Sequence, residues 1–160
     1  MVDPDFRWPP GFAPNEARLY VRNTRRMAAP VESVWAWLVA AARWPDWYPN
    51  ARSVELENDR IALTAGTRFR WSQTGVRLSS EVREFVPQRR LAWFARSPLI
   101  RAYHAWDLQP NEGSGTLVIT DETQRGLMPL LAAAILRPRM LAIHELWLER
   151  LDMQAKTGVM

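Results

Sequence analysis

The 160-residue sequence contains no cysteine and only one lysine. Without cysteine, the chain can form no disulfide, no thiolate metal site and no cysteine nucleophile. Its two histidines are too few for a histidine-rich metal centre. A zinc-protease motif begins at His144-Glu145, but Leu148 occupies the position of the second histidine. We therefore expect neither a metal nor another cofactor.

The sequence also lacks a secretory signal and a long uninterrupted apolar run. Its N-terminus is acidic and then rich in proline, without the basic and apolar regions of a signal peptide. The longest apolar runs, residues 34–42 and 126–136, are about half of the ~20 residues that a membrane span requires. We expect a soluble cytoplasmic protein without a transmembrane segment, and both a monomer and a homodimer remain open.

Basic residues outnumber acidic residues by 21 to 17, and the formal net charge at pH 7 is +4. Arginine supplies 20 of the 21 basic residues, but most arginines are scattered and alternate with apolar residues. A nucleic-acid interface would concentrate them in one patch, whereas alternation is typical of the solvated face of a sheet. We therefore do not expect a nucleic-acid partner.

The longest helical pattern in the chain is its last one, over residues 127–154. Leu127, Ala134, Leu141 and Leu148 recur every seven residues in this stretch. Pro138 interrupts the pattern and predicts a kink there. Because an apolar helix of this length is not stable alone, another element must cover it.

The preceding residues predict a curved antiparallel sheet that supplies this cover. A strand over residues 17–27 is followed by a helix that begins at Pro30 and by a short aromatic turn at residues 44–49. Six short alternating segments then predict strands at residues 52–57, 67–74, 76–86, 90–96, 101–109 and 116–124. Short connections favour antiparallel pairing. The predicted fold is α+β, with seven antiparallel strands curved around the long C-terminal helix and two short helices after the first strand.

Two parts of the chain follow from this order. Residues 1–16 form a proline-rich N-terminal extension, whose aromatic residues indicate that it docks on the body of the protein. Residues 17–155 are expected to form a single domain around one core.

Strand alternation, with arginine taken as outward, predicts which side chains face the final helix. The apolar members of this set, with two helix residues that face them, are Phe69, Trp71, Leu78, Val82, Trp93, Trp106, Leu131 and Ile135. The polar members are Ser80, His104 and Thr120. Glu122 joins them if the last strand presents Thr120, rather than Leu117 and Ile119, to the final helix. A hairpin that sets Leu108 opposite Thr116 places His104 across from Thr120.

Two interpretations fit this inner face. An apolar surface with a few polar groups is the usual wall of a small-molecule pocket. The same residues also fit a packed core in which the hydroxyl groups and His104 bond to the backbone. For His104 and His144 the packed core is the simpler interpretation, and Glu122 also fits a surface partner of an arginine.

Several segments resemble a known superfamily. They include AAPVESVWAWLVAAARWPDWYPN at residues 28–50 and HAWDLQPNEGSGTLVITDETQRG at residues 104–126. Over residues 17–155 the chain is similar to the START-like (SRPBCC) superfamily, and within it to the polyketide cyclase/dehydrase and lipid-transport group. The resemblance implies a helix-grip fold with a cavity between the sheet and the final helix. It implies no catalytic residue, because the family has no universal catalytic motif.

Three functions follow as hypotheses. The first is binding of a small, mainly hydrophobic molecule, such as a lipid, a polyketide or another aromatic or isoprenoid metabolite, with Ser80, His104 and Thr120 orienting its polar end. The second is a polyketide aromatase/cyclase-type enzyme in which His104 acts as acid or base, and in which Glu122, if it faces inside, tunes His104 or serves as the base. The third is a non-enzymatic stress-response or regulatory module.

Overall fold

The computed structural model describes residues 8–111 and 113–158. Its three α-helices, among these residues, are α1 (Val31–Val39), α2 (Trp44–Trp47) and α3 (Leu127–Ala155). Its strands are β1 (Leu19–Met27), β2 (Ala51–Leu56), β3 (Arg68–Gln73), β4 (Val76–Val86), β5 (Arg90–Arg96), β6 (Arg101–Pro110) and β7 (Thr116–Arg125). The predicted α+β architecture is confirmed, and the ends of β4 and β5 coincide with the predicted ones.

The strands form one antiparallel sheet in the order β1-β7-β6-β5-β4-β3-β2. Consecutive strands therefore pair from β2 to β7, and β1 closes the sheet at the free edge of β7. Phe69, Trp71, Trp93 and Trp106 are all buried, as the alternation predicts. The fold is that of a sheet that bends around one helix.

The predicted pairing of β6 with β7 is wrong by two residues, although the predicted face is right. Leu108 pairs with Val118 rather than Thr116, so His104 lies opposite Glu122 and Trp106 opposite Thr120. A shift of two residues leaves every side chain on its face, since the side-chain period of a strand is two. The shift follows from the turn, because Pro110 pairs with Thr116 and the connection is shorter than predicted.

Helix α3 has two halves with different environments. One face of its C-terminal half is buried, and Trp147, Leu148 and Leu151 on that face are inaccessible to solvent. The non-helical backbone within α3 lies at Ala132, not at Pro138 as predicted. By length and composition α3 is apolar enough to cross a membrane, but its C-terminal half packs in the core of this fold.

Glycine is required where the chain turns from β7 into α3. Gly126 has a φ of +121°, and a Cβ atom there would lie 2.5 Å from the carbonyl oxygen of Leu99. Both the dihedral angle and the close approach exclude a larger residue. Gly126 therefore forms the corner between β7 and α3.

The N-terminal segment covers the outer face of the sheet. Phe12 lies 5.1 Å from Phe94 between ring centroids, and Trp8 lies 6.0 Å from Tyr103. These contacts shield a small second core of Ala92, Tyr103 and Ala105. Residues 1–7 of the predicted extension lie outside the described residues.

Candidate functional site

A cavity of about 260 Å³ lies between the inner face of the sheet and α3. Its walls are mostly apolar and come from five strands and the helix. The strand side and the adjoining turns contribute Trp71, Gln73, Thr74, Val76, Leu78, Trp93, Ala95, Ile100, Ala102, His104, Glu122 and Gln124. The helix contributes Met128, Leu136, Arg139, Met140 and Ile143.

Next to the cavity, the concave face of the sheet is filled by an aromatic cluster. Trp147 projects from α3 into this cluster and stacks on Tyr48 at 4.4 Å between ring centroids. Trp44 lies within 6 Å of Trp71, Trp93 and Trp147. Packing of this density leaves no space for a ligand at that end. The open volume therefore lies toward the first half of α3.

The predicted ligand-binding residues divide between the cavity and this packed cluster. Trp71, Leu78, Trp93 and His104 line the cavity. The others on the sheet are buried but do not form its wall: Phe69, Ser80, Val82, Trp106 and Thr120. The hydroxyl group of Ser80 accepts a hydrogen bond from Nε1 of Trp71 at 3.0 Å, as expected for a packed core.

The two predicted helix residues lie outside the cavity wall. Leu131 is 76% exposed and Ile135 is 60% exposed. Ile135 precedes the buried His144 by about two and a half helical turns, which places it on the opposite side of the helix. Two helix residues of the wall, Leu136 and Met140, precede His144 by eight and four positions and lie on its side of the helix. The phase of the buried C-terminal half would have identified them.

A buried polar cluster forms one wall of the cavity. Glu122 on β7 accepts a hydrogen bond from Nε2 of His144 on α3 at 3.0 Å and another from Nε2 of Gln124 at 2.5 Å. The same carboxylate lies 3.4 Å from Nδ1 of His104 on β6. The other ring nitrogen of His104 bonds to the hydroxyl group of Thr120 at 2.8 Å. The cluster therefore joins two strands and the helix through one carboxylate.

Burial determines the charges in this cluster. It lowers the pKa of His104 to about 3, although the nearby Glu122 carboxylate acts in the opposite direction. Burial alone would raise the pKa of Glu122, but the hydrogen bond from His144 and further favourable contacts lower it overall. At neutral pH the cavity wall thus presents a neutral imidazole beside a carboxylate.

His104, Glu122 and His144 also form the one group of three potential metal ligands among the described residues. Their ligand atoms lie within 4.8 Å of one another. However, the two imidazole rings are stacked, with an angle of 8° between their planes. Because the lone pair of an imidazole nitrogen lies in the ring plane, two stacked rings do not direct their lone pairs at one ion. In this arrangement the cluster is suited to proton transfer or hydrogen bonding rather than to metal binding.

Glu122, His104 and Thr120 also place a carboxylate, an imidazole and a hydroxyl group in a row, the arrangement in which a histidine activates a hydroxyl nucleophile. Thr120 is completely buried, however, and does not line the cavity. A nucleophile must reach its substrate, so the hydroxyl group of Thr120 orients His104 instead.

The contact between His144 and Glu122 was not predicted from the sequence. No local pattern relates a helix residue to a strand residue 22 positions away. Gln124 was also missed, although it follows Glu122 by two residues and alternation places it on the same face.

The chain is similar to proteins of one family and to several solved structures. A model of the family described as polyketide cyclase / dehydrase and lipid transport matches residues 18–155. No curated protein matches the chain at a significant level. The solved structure of the hypothetical protein jhp0584 from Helicobacter pylori has a TM-score of 0.88 and 25% identity, over 97% of this chain and 98% of that one.

Two further structures show the same fold at lower identity. TTHA0849 from Thermus thermophilus has a TM-score of 0.71 and 23% identity, over 88% of this chain and 99% of that one. The di-domain ARO/CYC protein StfQ from the steffimycin biosynthetic pathway has a TM-score of 0.71 and 17% identity. That match covers 88% of this chain and 52% of StfQ, so the chain spans about half of that protein.

Proposed function

Because the chain belongs to the polyketide cyclase/dehydrase and lipid-transport family, we propose that it binds a small, mainly hydrophobic molecule in the cavity beneath α3. The observation that carries this proposal is the cavity itself, with apolar walls and the His104–Glu122 cluster on one side. Apolar walls with a few polar groups supply affinity through burial and orientation through hydrogen bonds.

The volume limits the size of the ligand. The space of about 260 Å³ corresponds to roughly nine water molecules at ~30 Å³ each. Ligand pockets typically enclose ~300–1,000 Å³, so this one lies just below the usual range. A molecule with one or two rings, or a short isoprenoid, fits this space better than a long-chain lipid or a four-ring polyketide.

The polar groups of the wall favour a ligand that carries a carbonyl or hydroxyl oxygen. Nε1 of Trp93 is buried and has no hydrogen-bond acceptor among the described residues. An unpaired buried N–H group costs about 1–3 kcal/mol, and a ligand oxygen would recover this cost if the ring of Trp93 turned its Nε1 toward the cavity. Arg139, also in the wall, is exposed and could contact an acidic group at the entrance.

Calorimetric titration with β-naphthol, menadione and geraniol tests this proposal. We expect at least one of these compounds to bind and to quench tryptophan fluorescence, since Trp71 and Trp93 line the cavity. Ala102→Phe and Leu136→Phe fill the cavity from opposite walls and should each weaken binding at least about tenfold. Ala65→Phe, at an exposed position in a loop, is the matched control.

Absence of binding by all three compounds would contradict the proposal. So would binding that neither of the two cavity-filling variants changes. Thermal unfolding of each variant without ligand distinguishes a filled cavity from a damaged fold.

A second candidate function is acid/base catalysis of a dehydration, because both His104 and Glu122 line the cavity. Neutral His104 would accept the proton from the carbon next to a carbonyl group and return it to the departing hydroxyl group, which leaves as water. The carboxylate of Glu122, 3.4 Å away, would stabilise the intermediate imidazolium. For this reaction Nε2 of His104 must exchange its contact with Thr120 for one with the substrate. Binding without catalysis requires no such rearrangement, and we therefore place it first.

The β-hydroxy ketone that dehydrates to benzalacetone is a suitable probe for catalysis. If the enzyme hypothesis is correct, benzalacetone absorbance increases with wild-type protein, and His104→Gln removes this increase. Equal rates with the wild type, the variant and buffer would leave binding as the function of the site.

A further inference from the structure

The first half of α3 exposes an unusually large apolar surface. Five large apolar side chains, hereafter the apolar patch, are between 43% and 76% exposed: Leu99, Leu127, Leu130, Leu131 and Ile135. They are five of the eight exposed side chains of this kind among the described residues. A hydrogen bond of 3.3 Å from the backbone N–H of Met128 to the carbonyl oxygen of Leu99 holds the loop beside the helix. A clustered patch of this kind indicates an interaction surface.

The surroundings of the patch are positively charged. Residues 123–144 contain three arginines and no acidic residue. Arg101 and Arg125 pair across β6 and β7 and line a surface groove together with Leu99. Adjacent like charges are unfavourable, and neither of these arginines forms an ion pair with a described residue. Arg139 follows Ile135 by about one helical turn and also forms no ion pair with a described residue.

We propose that the apolar patch docks the protein on the surface of an anionic lipid bilayer. Leucine and isoleucine side chains would enter the boundary between the headgroups and the acyl chains, and the surrounding arginines would contact the anionic headgroups. This role goes beyond ligand binding in the cavity and does not depend on it.

The charges distinguish a bilayer from other occupants. In a two-fold dimer each patch meets its own copy, so the arginines around the patches of both chains would be brought together. A nucleic acid would use the arginines but would leave the five apolar side chains exposed at the centre of the interface. An anionic bilayer matches both the apolar centre and the basic margin.

The position of the patch also relates it to the cavity. Met128, Leu136 and Arg139 line the cavity from the same part of α3 whose other side forms the patch. Arg139 is exposed, so the cavity reaches the protein surface close to the patch. On a bilayer, this opening would lie beside the region where apolar metabolites dissolve.

Flotation of the full chain with vesicles tests the proposal. Vesicles of phosphatidylcholine alone are compared with vesicles that also contain phosphatidylglycerol, at low and at physiological salt. We expect the wild type to float with the anionic vesicles and much less with the neutral ones. Leu131→Ser with Ile135→Ser should reduce the bound fraction at least about tenfold. Arg101→Gln with Arg139→Gln should reduce it about fivefold per arginine on anionic vesicles.

Ile61→Ser is the control, because Ile61 is 72% exposed but belongs to a different surface. Its binding should equal that of the wild type. Circular dichroism of each variant verifies that the fold is retained.

Three results would overturn the proposal. The first is failure of the wild type to float with either kind of vesicle. The second is wild-type flotation by the Leu131→Ser, Ile135→Ser variant. The third is that the wild type binds no vesicles but forms a dimer in light scattering, or a complex with a duplex oligonucleotide, and that the Leu131→Ser, Ile135→Ser variant does not. Titration of β-naphthol in the absence of vesicles reports separately on the cavity.

Discussion

Glu122 is the residue that connects the two strands and the helix of the polar cluster. Its carboxylate accepts hydrogen bonds from Gln124 and His144 and lies beside His104. A buried carboxylate is tolerated only with such partners, because removal from water is costly. The cluster thus fixes the position of α3 above the cavity, in addition to any role in binding or catalysis.

The same residues predict how stability depends on pH. Burial lowers the pKa of His104 from its usual value near ~6.5 to about 3 in the folded protein. Between these values the unfolded chain binds more protons than the folded protein, so the free energy of unfolding decreases as the pH falls. The lowered pKa of Glu122 acts in the same direction: its contribution is present above the unfolded pKa near ~4.3 and is lost as the pH falls through the folded pKa.

Urea denaturation between about pH 7 and pH 5 measures this effect. We expect His104 to contribute a slope of up to about 1.4 kcal/mol per pH unit below its unfolded pKa. His104→Asn should lose this contribution, whereas Glu145→Gln, at an exposed position, should retain it. The same slope in wild-type protein and His104→Asn would contradict a neutral, buried His104.

Which residues share the inner face could be predicted from sequence, but their contacts could not. Arginine on alternate positions identified the inward side of β3 to β6, but the predicted register set Thr120 rather than Glu122 opposite His104. The bond between Glu122 and His144 depends on the tertiary packing of α3, for which the local sequence contains no signal. Likewise, alternation cannot distinguish a cavity wall such as Trp93 from packed residues such as Phe69 and Trp106.

At the scale of elements, α3 has one half that stabilises the fold and one half that presents a surface. Leu148 is inaccessible to solvent, whereas Leu131 on the same helix is 76% exposed. We expect Leu148→Ala to reduce the free energy of unfolding by about 2–5 kcal/mol, because it leaves a cavity in the core. Leu131→Ala should change it by less than about 0.5 kcal/mol.

Urea denaturation of the two variants makes this comparison directly. They differ only in position, so helix propensity contributes equally to both. Similar losses in the two variants would show that the first half of α3 is covered in solution. Light scattering would then determine whether a second copy covers it.

The seven-residue repeat explains why the sequence predicted α3 well and its orientation poorly. The repeat correctly predicted a helix over nearly the whole of residues 127–155. It also suggested one continuous apolar face, but an ideal helix drifts by about 20° per heptad, and the backbone is irregular at Ala132. The leucines of the first half are therefore no longer on the buried side.

At the scale of the molecule, the order of elements and the family could be predicted because they depend on many weak signals that agree. Turn residues, alternation and the final helix all indicated the same antiparallel arrangement, and the family model covers residues 18–155. The size of the cavity could not be predicted. It is the difference between the space under the helix and the volume of the side chains that fill it, such as Trp71, Trp93 and Trp147, whose packing is a property of the whole fold.

The N-terminal segment is the part of the molecule that packs on the other side of the sheet. Phe12 contacts Phe94, and Arg125 lies 5.8 Å above the ring of Phe12. Phe12→Ala should therefore reduce the free energy of unfolding by about 1–3 kcal/mol, less than the loss for a fully buried phenylalanine because Phe12 is only half-buried. Ile61→Ala, at an exposed position, should leave the free energy of unfolding nearly unchanged.

Since Phe12 does not line the cavity beneath α3, its removal should leave β-naphthol affinity unchanged. Urea denaturation and calorimetry check the two halves of this prediction, and a variant as stable as the wild type would show that the segment does not dock in solution.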